Sequence, residues 1–280
     1  MSIYLITGIT SYVGKGIATY LIGLKFKVYG VSRNNPEINH DCFTWIKNDL
    51  YDDSIPDISQ IDCLIHCAGD GWYGKSSSHY LHANCVITDY INQYIVRNNI
   101  QSCVFLSTID VYGDNNNNVL NENSLIINPK YYGLSKYYSE EIMSNNTKCL
   151  VLRLPSILGK GTHGWMSETV RKLINHEPIF YTNTLTNLFT HPTFIAKLII
   201  EYFGKNSDSA ILNVAASPPI ESQLIIEYVK KHTSSNSMLK PIKKVLSKDY
   251  IIDTKNLESI IKPMTIYQIL DLYLHDVFDV

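Results

Sequence analysis

The chain has 280 residues, 45% of them apolar, with 24 Lys and Arg against 26 Asp and Glu for a net charge of −2, enough for one large domain, or a domain with a smaller lobe, around a full core. Without a basic run or an acidic tail there is no electrostatic case for nucleic acid or a membrane surface, so small molecules are the expected partners. No apolar segment reaches the ~18 residues that span a bilayer, and Met1 is followed almost at once by IYLITG with no charged leader, so a cytoplasmic chain is expected.

In chain order, IYLITG, KVYGVSR, FTWIKNDL, DCLIHCAG and SCVFLST read as short β-rich runs, with helical patterns between them such as 14–24 and 82–98. This alternation predicts an α/β fold with a parallel sheet covered by helices on both faces. DNNNNVLNENS reads as a polar, flexible loop with its asparagines as filler, and the helical stretch KYYGLSKYYSE, 130–140, follows it. CLVLRLPSILG, 149–159, is a sixth strand and its exit. Beyond it, GWMSETVRKLINH and HPTFIAKLIIEYF are helical, AILNVAA is a strand and PIESQLIIEYVKKHT is another helix. These predict a smaller lobe, with elements returning to the sheet near 185–216.

Six cysteines stand at 42, 63, 67, 85, 103 and 149. Several lie inside apolar runs, where free thiols pack as small hydrophobes, so reduced core cysteines are expected. Cys63 and Cys67 flank His66, but no second pair has ligand spacing, and no metal site is expected.

Three stretches carry candidate chemistry. In LITGITSYVGKG, strand, turn and helix carry Gly8 and Gly14 six positions apart. A dinucleotide fold uses such a first glycine for the tight turn and the last for close helix packing, while amides at the helix N-terminus hold a pyrophosphate. The middle glycine of that pattern is Ser11 here, whose hydroxyl can itself bond a phosphate. About twenty residues on, an acid would bond a ribose 2′-hydroxyl and an arginine would accept a 2′-phosphate. This chain has Ser32, Arg33 and Asn34 there, which favours NADP(H) over NAD(H) unless Arg33 is simply a solvated surface residue. Third, helical spacing in KYYGLSKYYSE sets Lys136 against Tyr132 and Ser135 against Tyr131. An ammonium beside a phenol, which normally ionises near pH ~10, favours the phenolate and prepares the pair for proton exchange. The same spacing also suits an amphipathic helix with aromatic packing.

TGITSYVG, NDL (48–50), DCLIHCAG (62–69), Asn84 in HANCVITD, FLSTIDVYGD (105–114), PKYYGLSK (129–136) and LRLPSILGKG (152–161) occur in an order and spacing that resemble the extended short-chain dehydrogenase/reductases, in their nucleotide-sugar epimerase/reductase/dehydratase branch. The likeness continues through NLFTHPTFIAKLI and ILNVAA to YIIDTKNLES, nearly the whole chain. It implies a Rossmann-like doubly wound sheet in an NAD(P)-binding domain over 1–155 and a small substrate-binding lobe over 156–280. It places the cofactor along Gly8, Thr10, Ser11, Tyr12, Val13 and Gly14, with Ser32, Arg33 and Asn34 at the adenosine ribose and Asp49 and Leu50 beside the adenine. Cys67, Ala68 and Gly69 form the strand-end turn along it, and Pro155, Ser156 and Ile157 border the nicotinamide.

The resemblance assigns Thr108, Tyr132 and Lys136 to catalysis. Hydride transfer to a carbonyl carbon leaves an alkoxide, which Tyr132 would protonate. Lys136 would lower its pKa and hold the cofactor ribose, and Thr108 would orient the carbonyl. Asn84 either supports a link behind the lysine or simply satisfies main chain. The resemblance also implies a nucleotide-sugar substrate, with Tyr73, Lys75, His163 and Trp165 as candidate contacts, and a homodimer through helices 82–98 and 132–146. Thr108-Ile109-Asp110 lacks the acid/base pair of sugar dehydratases and a residue able to epimerise C3 or C5. The expectation is an NADPH-dependent reductase of a 4-keto(-6-deoxy) nucleotide sugar, with an NAD-dependent 4-epimerase as alternative and a non-catalytic dinucleotide sensor as the reading of another class. The FTHPTF segment around His191 departs from relatives, which usually carry acidic residues after that histidine.

Overall fold

A computed structural model describes residues 2–52, 55–58, 60–71, 74–144, 148–205, 208–243 and 250–278. They divide into two compact units: Met1–Asn115, Ser124–Leu154 and Pro192–Leu212 form the first, and Asn116–Asn123, Pro155–His191 and Asn213–Val280 the second. Of the stretch expected to return to the sheet, 192–212 does so, while 185–191 and 213–216 stay in the second unit.

The first unit is built on seven strands: β1 (Ile3–Thr7), β2 (Lys27–Ser32), β3 (Phe43–Lys47), β4 (Cys63–His66), β5 (Ser102–Thr108), β6 (Lys148–Leu154) and β7 (Ala210–Asn213). Their order is β7-β6-β5-β4-β1-β2-β3, and β1 to β6 pair in parallel. All four residues of β4, and Cys103 to Thr108 of β5, are buried. That continuous burial, apolar up to the strand ends, is what a sheet covered on both faces requires. The chain moves outward from β1 through β2 to β3, then returns to the other side of β1 with β4. This reversal opens a crevice beyond the C-terminal strand ends, where ligands bind in such sheets.

Helix α1 (Tyr12–Gly23) follows β1, and the returning helix Pro192–Lys205 packs on it so closely that a Cβ on Gly16 would lie 2.6 Å from Pro192 Cβ. Beneath the sheet's end, His66 bridges two hydroxyls, Thr7 Oγ1 at 2.7 Å and Thr88 Oγ1 at 3.1 Å. Burial, reinforced by the Lys136 charge, lowers its pKa to about 3, so it stays neutral.

The pattern at 82–98 resolves into two pieces rather than one helix, a π-helical turn over Leu81–Val86 and α3 (Ile87–Arg97), preceded by the single turn α2 (Ser77–Tyr80). The wider turn carries Asn84, whose amide bonds both the Asp70 backbone and Ser135. Such local widening commonly accompanies a functional position. α4 (Tyr131–Ser144) lies against the turn Ile109–Tyr112 after β5, where a Cβ on Gly133 would collide with the Asp110 carbonyl.

The second unit has its own core, in which Met166, Val170 and Leu173 meet Ile225, Val229, Ile269 and Leu270. The asparagine-rich stretch is not a simple loop. Val119–Leu120 pairs in parallel with Ile251–Ile252, and Leu120 is buried, an ordering set by a partner strand far along the chain. Asn115, at its start in the first unit, is buried and donates to the Leu125 carbonyl at 2.8 Å, so it is no filler. His191 finds an acid from the C-terminal helix, with Nε2 3.1 Å from Asp276 Oδ2. Among the described residues no helix is long and apolar enough to cross a membrane.

Gly133→Ala should destabilise the protein by about 1–3 kcal/mol, because the added methyl overpacks the α4 contact. A urea titration showing an unchanged midpoint would contradict this packing.

Candidate active site

The turn after β1 begins at Gly8, which adopts φ +66°, and a Cβ there would sit 2.7 Å from the Ala68 amide nitrogen at the end of β4. Only glycine suits both constraints. Ser11 caps α1, its hydroxyl accepting from the Gly14 amide at 3.0 Å. This satisfies one of the first amides of the helix, and others point to the space before it.

A cavity of about 470 Å³ opens there. Of the residues expected at a dinucleotide, Gly8, Thr10, Ser11, Ser32, Arg33, Asp49, Leu50, Cys67, Ala68 and Gly69 line it. Tyr12, Val13, Gly14 and Asn34 do not. Tyr12 and Val13 open α1, Gly14 packs beneath the turn with a would-be Cβ 2.6 Å from the Gly8 carbonyl, and Asn34 is exposed. The Ser32 hydroxyl is already engaged, donating to the Asn34 carbonyl at 2.7 Å and accepting from Trp45 Nε1 at 3.2 Å. Arg33 stands exposed on the rim.

The wall also holds residues given no cofactor role from the sequence: Asn48 of the NDL motif, Tyr51, Asp70, His79, Ala83 and Ile87. Asp70 directly follows the recognised Cys67–Gly69 turn and was within reach of the pattern. His79 was not, since it sits on a one-turn helix in a serine-rich stretch and is placed by its 2.6 Å contact with Asp70 Oδ2.

The candidate catalytic groups Thr108, Tyr132 and Lys136 do not line this cavity themselves; Lys136 and Tyr132 lie against the Gly69–Gly71 loop, whose Gly69 and Asp70 do. Lys136 is 6% exposed, with Nζ 4.0 Å from the centroid of the Phe105 ring and 3.9 Å from where a Gly69 Cβ would lie. One turn earlier on α4, the Tyr132 hydroxyl is 3.3 Å from a would-be Gly71 Cβ, and its ring meets that of Tyr80 at 5.9 Å. Thr108 ends β5, buried, its Oγ1 accepting from the Asp110 amide at 3.2 Å. Asn84 is the clamp: Oδ1 accepts from the Asp70 amide at 2.8 Å, while Nδ2 donates to the Asp70 carbonyl at 3.2 Å and to Ser135 Oγ at 2.9 Å. It thereby ties the Gly69–Gly71 loop to α4. Burial lowers the Lys136 pKa to about 8, against the opposing influence of Glu140, Cys67 and Cys85.

Of the remaining expected contacts, Tyr73 lies outside the described residues, and Lys75 is exposed and does not line the cavity. In the second unit, Ser156, Ile157, His163 and Trp165 line a separate cavity of about 600 Å³. Pro155 is buried and does not line it. Trp165 stacks on Phe189 there at 5.9 Å. All six cysteines are free thiols. Among the described residues, no three His, Cys, Asp or Glu side chains are grouped to hold a metal ion.

The sequence matches the NAD dependent epimerase/dehydratase family over residues 4–191, and the chain belongs to that family. It is an NAD(P)-dependent enzyme of the extended short-chain dehydrogenase/reductase type. No curated protein matches it. Among solved structures, it is similar to the UDP-glucuronic acid 4-epimerase from Bacillus cereus in complex with NAD, at 17% identity and TM-score 0.81 over 99% of this chain and 97% of that one. It is similar to the WbmH enzyme of Bordetella bronchiseptica in complex with NAD+, at 17% identity and TM-score 0.83 over 98% and 97%. The UDP-Glc/GlcNAc 4-epimerase of Campylobacter jejuni aligns at 17% identity and TM-score 0.82 over 100% and 98%. At such identities the likeness is one of fold.

The glycine cradle, the helix N-terminus and the cavity between them suit a dinucleotide, with Gly8, Thr10, Ser11 and the Cys67–Gly69 turn as the residues that would hold it. Gly8→Ala should raise the Kd for NAD(H) by at least ~10-fold, or ~1.4 kcal/mol, in isothermal titration calorimetry. Wild-type affinity in the folded variant would show that the cradle does not hold the dinucleotide.

Proposed function

We propose that this protein is a nucleotide-sugar 4-epimerase, which oxidises the C4 hydroxyl of a sugar to a ketone and reduces it again from the opposite face. The observation that carries this reading is the desolvated Lys136 ammonium, one helical turn from Tyr132 and against the Gly69 edge of the dinucleotide cavity. The bound dinucleotide would accept the C4 hydride and return it.

The chain's own residues do the proton work. Tyr132 takes the hydroxyl proton as the ketone forms and gives it back as the new hydroxyl forms, so one phenol serves both directions. The Lys136 charge favours the phenolate stage of that cycle. The Thr108 oxygen already accepts from the Asp110 amide, which leaves its own proton for the sugar oxygen. Asn84 holds the Gly69–Gly71 loop against α4, so that these groups keep one geometry. In the second unit, the cavity at His163 and Trp165 combines aromatic faces with the hydroxyls of Thr162, Thr182, Thr184 and Thr186, a lining suited to a sugar nucleotide. Family membership and the fold shared with NAD-bound 4-epimerases support the same reading.

The NADPH-dependent 4-keto-sugar reductase expected from the sequence retains one specific support. No acid stands at the end of β2, and the exposed Arg33 guanidinium on the cavity rim suits a 2′-phosphate. The two readings separate in one assay pair. Proton NMR of UDP-glucose, UDP-galactose and UDP-N-acetylglucosamine incubated with the protein and NAD+ should show the C4 epimer with no net change at 340 nm. Stoichiometric loss of NADPH absorbance with an NDP-4-keto-6-deoxyhexose, and no epimer in the first assay, would replace the epimerase with the reductase.

Tyr132→Phe should lower kcat by roughly 10²–10⁴-fold, the usual contribution of a positioned acid or base, with NAD(H) affinity unchanged in a fluorescence titration. Unaltered turnover would remove Tyr132 from the chemistry. Arg33→Ala should weaken NADP(H) binding about tenfold, ~1.4 kcal/mol, and leave NAD(H) binding alone. Equal effects on the two would mean that Arg33 does not read the 2′-position.

A further inference from the structure

Outside the dinucleotide cavity, Glu140, Arg153, Ser107 and Tyr112 form one buried polar cluster. Arg153 on β6 donates from Nε to both Glu140 carboxylate oxygens at 3.1 and 3.3 Å and from a terminal nitrogen to Oε2 at 2.8 Å. Ser107 Oγ donates to the same carboxylate, and Arg153 donates to the Tyr112 hydroxyl at 3.2 Å. A buried ion pair is weak evidence of stabilisation, since apolar residues of similar volume often do as well.

Its position points to a different use. Ser107 immediately precedes Thr108, Tyr112 closes the turn that follows it, and Glu140 lies one helical turn beyond Lys136. We propose that Glu140 is a positioning residue for the reaction: clamped by Arg153 and Ser107, its carboxylate holds the Lys136 ammonium in the charged form and keeps α4 in register with the strand end that carries Thr108. This rests on the reading of Lys136 as part of the active site.

The groups around Lys136 support it. Tyr132 and Glu140 flank it on α4, and the Phe105 ring of β5 lies below it. From β4 and its exit come His66, which is neutral, and Cys67, whose thiol burial pushes up to about 12. From the turn at 81–86 comes Cys85, its thiol raised by burial and donating to the Ser135 carbonyl at 3.2 Å. Arg153 stands behind Glu140. Among the described groups other than Tyr132, the Glu140 carboxylate is therefore the anion that opposes the desolvation of Lys136.

Glu140→Gln keeps the shape and removes the charge, and the test needs neither cofactor nor substrate. In protein labelled with 13C at the lysine ε-carbon, the Lys136 resonance is assigned by its loss in Lys136→Gln and titrated with pH. The midpoint in E140Q should fall by about one pH unit, since loss of a nearby anion favours the neutral amine. The alkaline limb of the kcat/KM profile should move down with it, because the ammonium is required below that limb. If E140Q does not fold, the E140Q/R153Q pair removes both charges, and a smaller downward shift is expected, because loss of the guanidinium partly offsets loss of the carboxylate. A wild-type Lys136 midpoint in either folded variant overturns the proposal. Absence of epimerisation or reduction by the wild-type protein would instead refute the functional reading while leaving this titration interpretable.

Discussion

A lysine ammonium removed from water is the constraint around which the first unit is arranged. Burial pulls the Lys136 pKa down, and the protein counters this with a carboxylate one turn away and the face of an aromatic ring. Each countermeasure imposes its own requirement. Glu140 is itself buried, so it needs Arg153 and Ser107 to satisfy it. The loop beside the lysine is held close by its neighbours, since a Cβ on Gly69 would lie 2.8 Å from Asn84 Oδ1 and one on Gly71 3.3 Å from the Tyr132 hydroxyl. Asn84 then holds that loop in place, using both ends of its amide.

The same economy governs the dinucleotide cavity. The sheet reverses its strand order at β1 and β4, and the two strand exits diverge to leave a crevice. Gly8 and the Cys67–Gly69 turn approach each other so closely there that their backbones form the floor. The candidate catalytic residues of α4 sit beside this floor because α4 packs directly on the turn after β5. Gly133 permits that approach, setting the helix that carries Tyr132 and Lys136 against the turn that follows Thr108.

Much of this was legible in the residues. The alternation of apolar runs and helical patterns announced a parallel sheet, and the YxxxK spacing singled out Tyr132 because only residues three or four apart share a helix face. The glycine pattern marked the tight turn after β1 even with Ser11 in the central place, since the backbone path depends on Gly8 and Gly14. Other features had no local signal. His79 and Asp70 meet through a loop, Tyr51 reaches the cavity wall from a single turn, and the strand within the asparagine-rich stretch exists because residues 251–252 lie alongside it. The π-turn at Asn84 was hidden inside a plausible helical period.

Sequence alone determined the fold class and the family and singled out Tyr132 and Lys136 as the candidate proton-transfer pair, because periodicity and short-range spacing are carried directly by the covalent chain. Tertiary structure decided which of the marked residues line the cavity, that the Ser32 hydroxyl is already occupied, and that a buried Glu140–Arg153 pair stands behind the lysine. Those are outcomes of burial and of contacts between residues distant in the chain, and desolvation acts only once the fold has excluded water.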